Sequence, residues 1–313
     1  MDIIRKTEDL TQGTPSVVTV GVFDGVHLGH QAIMRQVKSA SNELAVLSVA
    51  VTFDRNPQEL MNPSHPVPYI CTLRQKLALI EEQGMDIALV LPLERDLLNM
   101  PAEQFVAEIL HEKLCAVKLV VGSNFRFGKG RAGNVQLLQK MGREMGFEVA
   151  AVPPVMADGR TVSSTAIRRL LMEGRVELAN WMLGRPFSLE GTVVAGKEIG
   201  RTLGYPTANI QPAEKQIVPG RGVYAVETRL EGRKWPGVAN IGTRPTVGGQ
   251  KSSVEVYIMD FSGNIYGRLV EVDFLHRLRD EVEFPDAEAL KQQIGADIRQ
   301  AKQLIGRGDC NRH

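Results

Sequence analysis

The chain has 313 residues, 43% of them hydrophobic and 23% charged, enough for two domains of ordinary size with real cores. Its formal net charge of +1 supplies no strong field toward nucleic acid or an anionic membrane, although a local anion site remains compatible with it. The three cysteines, Cys71, Cys115 and Cys310, are odd in number and far apart, so they form neither a disulfide framework nor a zinc signature. Asp2, Arg5, Lys6, Glu8 and Asp9 interrupt any secretory signal, and no run reaches the ~18–20 apolar residues of a membrane span. A soluble protein of a reducing compartment, most simply the cytoplasm, is expected.

The first half alternates between strand and helix. Val17–Phe23 reads as a buried strand, His30–Ala40 as a helix, and Ala45–Phe53 as a second strand. Leu73–Gln83 reads as a helix stopped by Gly84, and Ile87–Leu91 as a strand. Pro101–Leu114 follows as a helix, with proline where the first turn tolerates it. Then come a strand at Val117–Val121, a helix at Val135–Met145 and a strand at Phe147–Val152. Short β-rich runs between helical periods predict a parallel sheet flanked by helices. Ser163–Gly174 reads as a helix opened by hydroxyl residues and closed by glycine.

After Gly184-Arg-Pro186 strands dominate, at Leu189–Ala195, Gly222–Leu230, Gly237–Ile241, Ser253–Asp260 and Leu269–Leu275. Most are separated by glycine turns, and the next long helix is Asp286–Ile305. This spacing predicts a small antiparallel β-barrel closed by one terminal helix. The expected domains are therefore 1–184 and 185–313.

The stretch Gly21-Val-Phe-Asp-Gly-Val-His-Leu-Gly-His30 joins a strand to a helix. At such a turn backbone N–H groups are unpaired, and the helix dipole adds positive potential, which suits phosphate. Gly21, Gly25 and Gly29 allow close backbone approach. His27 and His30, three apart, share a face where the turn is helical, and can donate to phosphate oxygens or gain charge against a polyphosphate. That stretch carries neither G-x-G-x-x-G nor G-x-x-x-x-G-K-[ST]; the nearest approach to the second, Gly122–Gly130, has one residue too many and no hydroxyl after Lys129. An H-x-G-H nucleotidyl transferase fits better than a P-loop kinase.

The decapeptide resembles the G-x-F-D-G-x-H-x-G-H signature of bacterial bifunctional riboflavin kinase/FAD synthetases. Thr52–Pro57, Gly122–Gly128 and Val162–Arg168 match that family in order, as do Gly196–Ile210 with its P-T-A-N, Pro219–Ala225, Asn240–Thr246 and Val254–Phe261. Tyr205 stands where phenylalanine is usual, and Tyr257 where histidine is common. The resemblance implies a Rossmann-like nucleotidyltransferase fold for FMN adenylyltransferase at 1–184, and a riboflavin kinase-like barrel at 185–313. It implies phosphorylation of riboflavin by ATP to FMN, then adenylylation of FMN by a second ATP to FAD and pyrophosphate, with Mg²⁺ as cofactor. The partners implied are ATP, riboflavin and FMN, with no nucleic acid and no membrane; a homo-oligomer stays open.

In adenylyl transfer the FMN phosphate is already dianionic, so the site needs donors and alignment rather than a base. His27 and His30 are the candidate catalytic residues, with Gly21, Phe23, Asp24, Gly25, Gly29, Asn124, Ser163, Ser164, Thr165 and Arg168 around the nucleotide. Phosphorylation starts from a neutral ribityl alcohol, which benefits from a general base. The resemblance assigns this role to Glu255, which strand alternation puts on one side with Tyr257, opposite Val254 and Val256. Gly196, Gly200, Gly204, Pro206, Thr207 and Asn209 would hold nucleotide and flavin, and the neutral oxygens of Thr207 and Asn209 suit Mg²⁺ carrying phosphates. Alternatives are a single-function nucleotidyltransferase of another coenzyme, which would end near residue 180, and a non-catalytic flavin-binding regulator. A class I aminoacyl-tRNA synthetase would want a lysine-rich second loop that Val162–Arg168 does not supply. His65, His111, His276 and His313 read as packing or surface residues, and Trp181 and Trp235 as core or boundary residues.

Overall fold

The computed structural model describes residues 1–10, 13–62, 64, 66–157, 159–196, 204–246 and 249–309. Its chain forms two compact units: Met1–Val67 with Leu73–Ser163, and Pro68–Thr72 with Ser164–His313.

The first unit is built on six parallel strands: β1 (Asp2–Ile4), β2 (Ser16–Val20), β3 (Leu47–Phe53), β4 (Ile87–Leu91), β5 (Ala116–Gly122) and β6 (Glu148–Val152). Their order across the sheet is β1-β4-β3-β2-β5-β6. Strand alternation sorts the apolar residues onto two faces. Val18, Val20, Val49, Val51, Leu89, Leu119 and Val121 join one core, with Phe105, Leu110 and Leu138 from helices. Val17, Ala50, Ala88, Val90 and Val120 join the other, with Met34 and Val37 of α1 (Leu28–Leu44). Helices on both faces explain why these strands read as continuous apolar runs.

Between α1 and β4 lie α2 (Pro57–Met61) and α3 (Leu73–Glu81); beyond β4 lie α4 (Arg95–Asn99), α5 (Ala102–Gln104) and, after β5, α6 (Val135–Met145). The predicted helix at Pro101–Leu114 is a short α-turn running into a π-helix over Phe105–Lys113. There the Leu114 N–H donates to the Ile109 carbonyl, five residues back, at 3.1 Å. Apolar periodicity marks such a segment as helical but does not resolve a period of 3.6 from a wider one.

From β2 the chain steps to β3 and β4 on one side, then returns to place β5 on the other flank of β2. In an open parallel sheet this reversal leaves a crevice at the carboxyl ends of the two diverging strands, the usual ligand position.

The second unit is a closed six-stranded barrel, in the order β10-β13-β12-β11-β14-β9, in which every paired neighbour is antiparallel. Its strands follow a two-residue hairpin in the first unit, β7 (Met156–Ala157) and β8 (Arg160–Thr161). They are β9 (Phe187–Val194), β10 (Thr207–Pro212), β11 (Gly222–Leu230), β12 (Arg233–Thr246), β13 (Gly249–Ile258) and β14 (Leu269–Arg279). Helices α7 (Ser164–Met172) and α8 (Val176–Leu183) precede the barrel, and α9 (Ala287–Asp309) follows it. Helix α9 packs Ile298, Ala301 and Ile305 against Val223, Ala225 and Val238. Residues 68–72 are stitched to this unit: the Tyr69 N–H donates to Lys215 O and the Ile217 N–H to Tyr69 O, both at 2.8 Å. Trp181 is 48% exposed, against the expected core or boundary placement, whereas Trp235 meets Phe261 edge-on.

Candidate active sites

The first unit has a cavity of about 220 Å³ in the crevice that the topology predicts. Gly21 follows β2, Gly122 ends β5, and Val152 and Pro153 close β6; all four line it. So do Phe23, His27, Gly29, His30, Asn124 and Ser163, seven predicted site residues with Gly21. Asp24 is buried beneath the turn, and Gly25 enables it at φ +81°. Ser164, Thr165 and Arg168 belong to the second unit. There Arg168 is buried and its Nε donates to Pro68 O at 2.8 Å.

The local fold departs from the strand predicted through Phe23: β2 ends at Val20, and residues 21–27 form an irregular turn. Two non-glycine residues there have left-handed backbones, Phe23 at φ +50° and the β-branched Val26 at +37°. Such strain costs on the order of 1–3 kcal/mol each and persists only where surroundings over-determine it. His27 caps α1, its Nδ1 accepting the His30 N–H at 3.4 Å, which leaves the proton on Nε2. The two imidazoles stack, centroids 3.6 Å apart, and the Phe23 ring stands edge-on to His30 at 5.2 Å.

This geometry refines the expectation of charge-gaining histidines. His30 is partly exposed as a residue, but its Nδ1 is sealed from solvent with no hydrogen-bond partner. Desolvation first, then the adjacent His27 and Lys76, hold its pKa well below the usual imidazole value. His30 is therefore a neutral imidazole, a donor through one N–H, near neutral pH.

Sequence reasoning missed Lys76. In the pattern Leu73–Glu81 a lysine reads as a solvated helix residue, yet it is 6% exposed. Its Nζ donates to the carbonyls of Phe53 at 2.6 Å and Val22 at 3.3 Å.

The second unit has a cavity of about 330 Å³ lined by Tyr205, Thr207, Val238, Asn240, Glu255, Tyr257 and residues of the α9 side. Register explains the grouping. Glu255 on β13 faces Asn209 on β10 and Asn240 on β12, and Tyr257 faces Thr207 and Val238. Val254 and Val256, on the opposite side, are buried as alternation requires. The predicted Glu255 orientation thus holds, and Asn240 joins it. Tyr205 and Tyr257, the two departures from the family pattern, touch each other edge-on with centroids 5.6 Å apart.

Sequence reasoning also missed the far wall. Arg279 pairs with Asp297 of α9 through Nε at 3.0 Å and Nη2 at 2.8 Å, and Asp297 is 3% exposed. Gln293 donates to the same carboxylate at 2.8 Å. Arg279 also lies over the Phe284 ring, 5.6 Å from its centroid. Arg279 and Asp297 are 18 residues apart, on a strand and a helix, and no spacing rule joins them.

A second cavity in this unit, of about 550 Å³, is lined by Val193, Pro206, Thr207, Ile258, Phe261 and Tyr266 among others. Thr207 lines both. Asn209 is 8% exposed and packs where a Cβ on Gly196 would come within 1.9 Å of its Nδ2, so a side chain at 196 would displace that amide. Gly204 has φ +85°. Gly200 lies outside the described residues.

Among the described residues no cluster of three or more His, Cys, Asp or Glu could hold a metal ion, and no helix is long and apolar enough to cross a membrane.

Two family models match the chain: FAD synthetase over residues 9–166 and riboflavin kinase over residues 183–305. A bifunctional riboflavin kinase/FMN adenylyltransferase of Escherichia coli K12 is 38% identical over 309 residues, 98% of each chain. A protein of the same name from Pseudomonas fluorescens is 42% identical over 306 residues, 97% of this chain and 98% of that one. A crystal structure described as a macrolide-efflux protein from Streptococcus pneumoniae superposes with a TM-score of 0.88 at 31% identity, covering 96% of this chain and 98% of that one.

Proposed function

The chain belongs to the bifunctional riboflavin kinase/FMN adenylyltransferase family, and from that premise we propose that each reaction has its own cavity: FMN adenylylation in the first unit, riboflavin phosphorylation in the second. The chain is a two-reaction transferase. Riboflavin and ATP give FMN and ADP; FMN and a second ATP give FAD and pyrophosphate. The observation that carries the assignment is the contrast in chemistry between the cavities. One offers histidine, asparagine and serine donors at a strand-to-helix turn; the other offers a carboxylate on an apolar, aromatic-walled floor.

For adenylyl transfer, the turn at 21–27 and the start of α1 would hold the ATP phosphates. His27 and His30, their rings stacked, would donate to oxygens whose charge grows as pyrophosphate leaves. Asn124 and Ser163 add donors from the β5 and β8 ends of the cavity. Ser164, Thr165 and Arg168 stay proposed as nucleotide-binding residues on the sequence pattern alone, and the adenylyltransferase assignment on that pattern extends over 1–184. No protein base is required, because the FMN phosphate is itself the nucleophile.

For phosphorylation, riboflavin would lie in the cavity of about 330 Å³ with its ribityl hydroxyl toward Glu255. The carboxylate takes the hydroxyl proton as that oxygen attacks the γ-phosphorus. Asn209 and Asn240 flank Glu255 across the neighbouring strands. ATP would occupy the neighbouring cavity, because Thr207 borders both and lies where a γ-phosphate must pass. The neutral oxygens of Thr207 and Asn209, without a carboxylate cage, fit a Mg²⁺ held mainly by nucleotide phosphates and water. Bound there, the ion would supply charge neutralisation on the transferring phosphoryl group.

A time course of riboflavin, FMN and FAD, separated by chromatography after addition of ATP and Mg²⁺, tests the reading. FMN should rise first and FAD second. Flavin binding without either product would favour the non-catalytic regulator instead.

A further inference from the structure

We propose that Lys76 is a positioning residue for adenylyl transfer: its buried ammonium clamps the strained nucleotide turn in the shape that stacks His27 on His30. The inference rests on placing FMN adenylylation in the first unit.

Lys76 projects from α3, an element outside the turn, and its Nζ reaches two carbonyls at the ends of adjacent strands. One is Phe53 O, the last residue of β3; the other is Val22 O, two residues past β2. Val22 O also accepts from the Thr52 hydroxyl at 3.2 Å. Two donors from different elements therefore converge on the carbonyl immediately before Phe23, where the backbone first turns left-handed. Phe23 in turn sets its ring edge-on to His30. The far end of the turn is tied separately, by Gln31 Nε2 on Val26 O at 2.9 Å. A charge on a 6% exposed side chain is costly to retain for packing alone, and the two carbonyl acceptors tie it to the turn. Its field also disfavours a second positive charge on His30, in the direction already set by burial and by His27. Lys76 does not line the cavity, so it acts through the turn and not on the substrate.

The test measures steady-state FMN-to-FAD conversion by Lys76→Met, Lys76→Arg and Thr52→Val in the full chain, with riboflavin phosphorylation assayed in the same samples. A displaced turn misaligns the phosphate donors, so Lys76→Met should lower adenylyl-transfer kcat by about 10- to 100-fold. KM for FMN should change less than about threefold, since uniform ground-state binding is not what is lost. Lys76→Arg, which keeps charge and donors, should recover part of kcat. Thr52→Val should lower kcat in the same direction but less, and the double variant should fall short of the product of the two effects, because both donors act on one carbonyl. Should Lys76→Met fail to fold, the arginine and Thr52 variants carry the test. Adenylyl-transfer kcat within twofold of wild type in every folded variant overturns the proposal. So does a purely KM-borne loss, or no recovery by arginine. Wild type that makes no FAD from FMN refutes the site assignment itself, which is a separate outcome.

Discussion

Replacing Glu255 by glutamine should abolish riboflavin phosphorylation while leaving adenylyl transfer from supplied FMN intact. Glutamine preserves the shape of the side chain between the flanking Asn209 and Asn240, but it cannot act as a base. The strand itself is held from its other side by Val254 and Val256, at 2% and 0% exposure, so the barrel should fold unchanged. A general base contributes typically about 10²–10⁴-fold, or about 2.7–5.4 kcal/mol of barrier. Because the lost interaction forms only as the hydroxyl attacks, the whole effect should appear in kcat, with riboflavin KM nearly constant. The assay is initial-rate FMN formation at saturating ATP, with unfolding midpoints measured beside it. A kcat within about threefold of wild type in a folded variant would refute the base assignment, because that loss is too small for proton transfer.

Further expectations follow from individual contacts. Asp297→Ala should destabilise the second unit by roughly 3–5 kcal/mol, since it leaves Arg279 largely buried without its carboxylate. Equilibrium denaturation reads that loss, and weaker riboflavin binding should accompany it because both residues line the flavin cavity. The stability of the first unit should fall as pH drops below about 6.5, because unfolded His30 then binds a proton that the folded ring, with its depressed pKa, resists. The contribution is complete above the unfolded pKa and is lost toward the folded one, with a slope of at most about 1.4 kcal/mol per pH unit. His30→Gln should flatten this limb in pH-dependent denaturation; an unchanged slope would assign the effect elsewhere.

Much of the architecture was legible because periodicity and burial agree. The strand at Ile87–Leu91 and the helix at Val135–Met145 match their predicted bounds, since apolar runs bounded by turn residues leave little freedom. Strand β10 escaped notice because it begins inside the P-T-A-N motif, where glycine and proline suggest a loop. Helix α8 escaped because Glu177 and Asn180 break a short apolar segment, Val176–Leu183, which packs on α7, β14 and β9. Site residues carried by one contiguous turn were readable; those assembled by tertiary contact were not. His27 and His30 announce themselves in GVFDGVHLGH, whereas Lys76 and the Arg279–Asp297 pair acquire meaning only through carbonyls and carboxylates distant in sequence. His30's neutrality belongs to the second class, since burial and not spacing sets it.

The central claim is that two reactions occupy two independent cavities, and a mixing experiment tests it most directly. Glu255→Gln and His30→Ala are each incubated alone, then together, with riboflavin, ATP and Mg²⁺, and the flavins are separated over time. Alone, the first should leave riboflavin unreacted and the second should stop at FMN. Together they should make FAD, because FMN released by one chain is adenylylated by the other. If either variant loses both activities while folded, or the mixture makes no FAD when each partner retains its own half-reaction, the division of labour between the two cavities is contradicted.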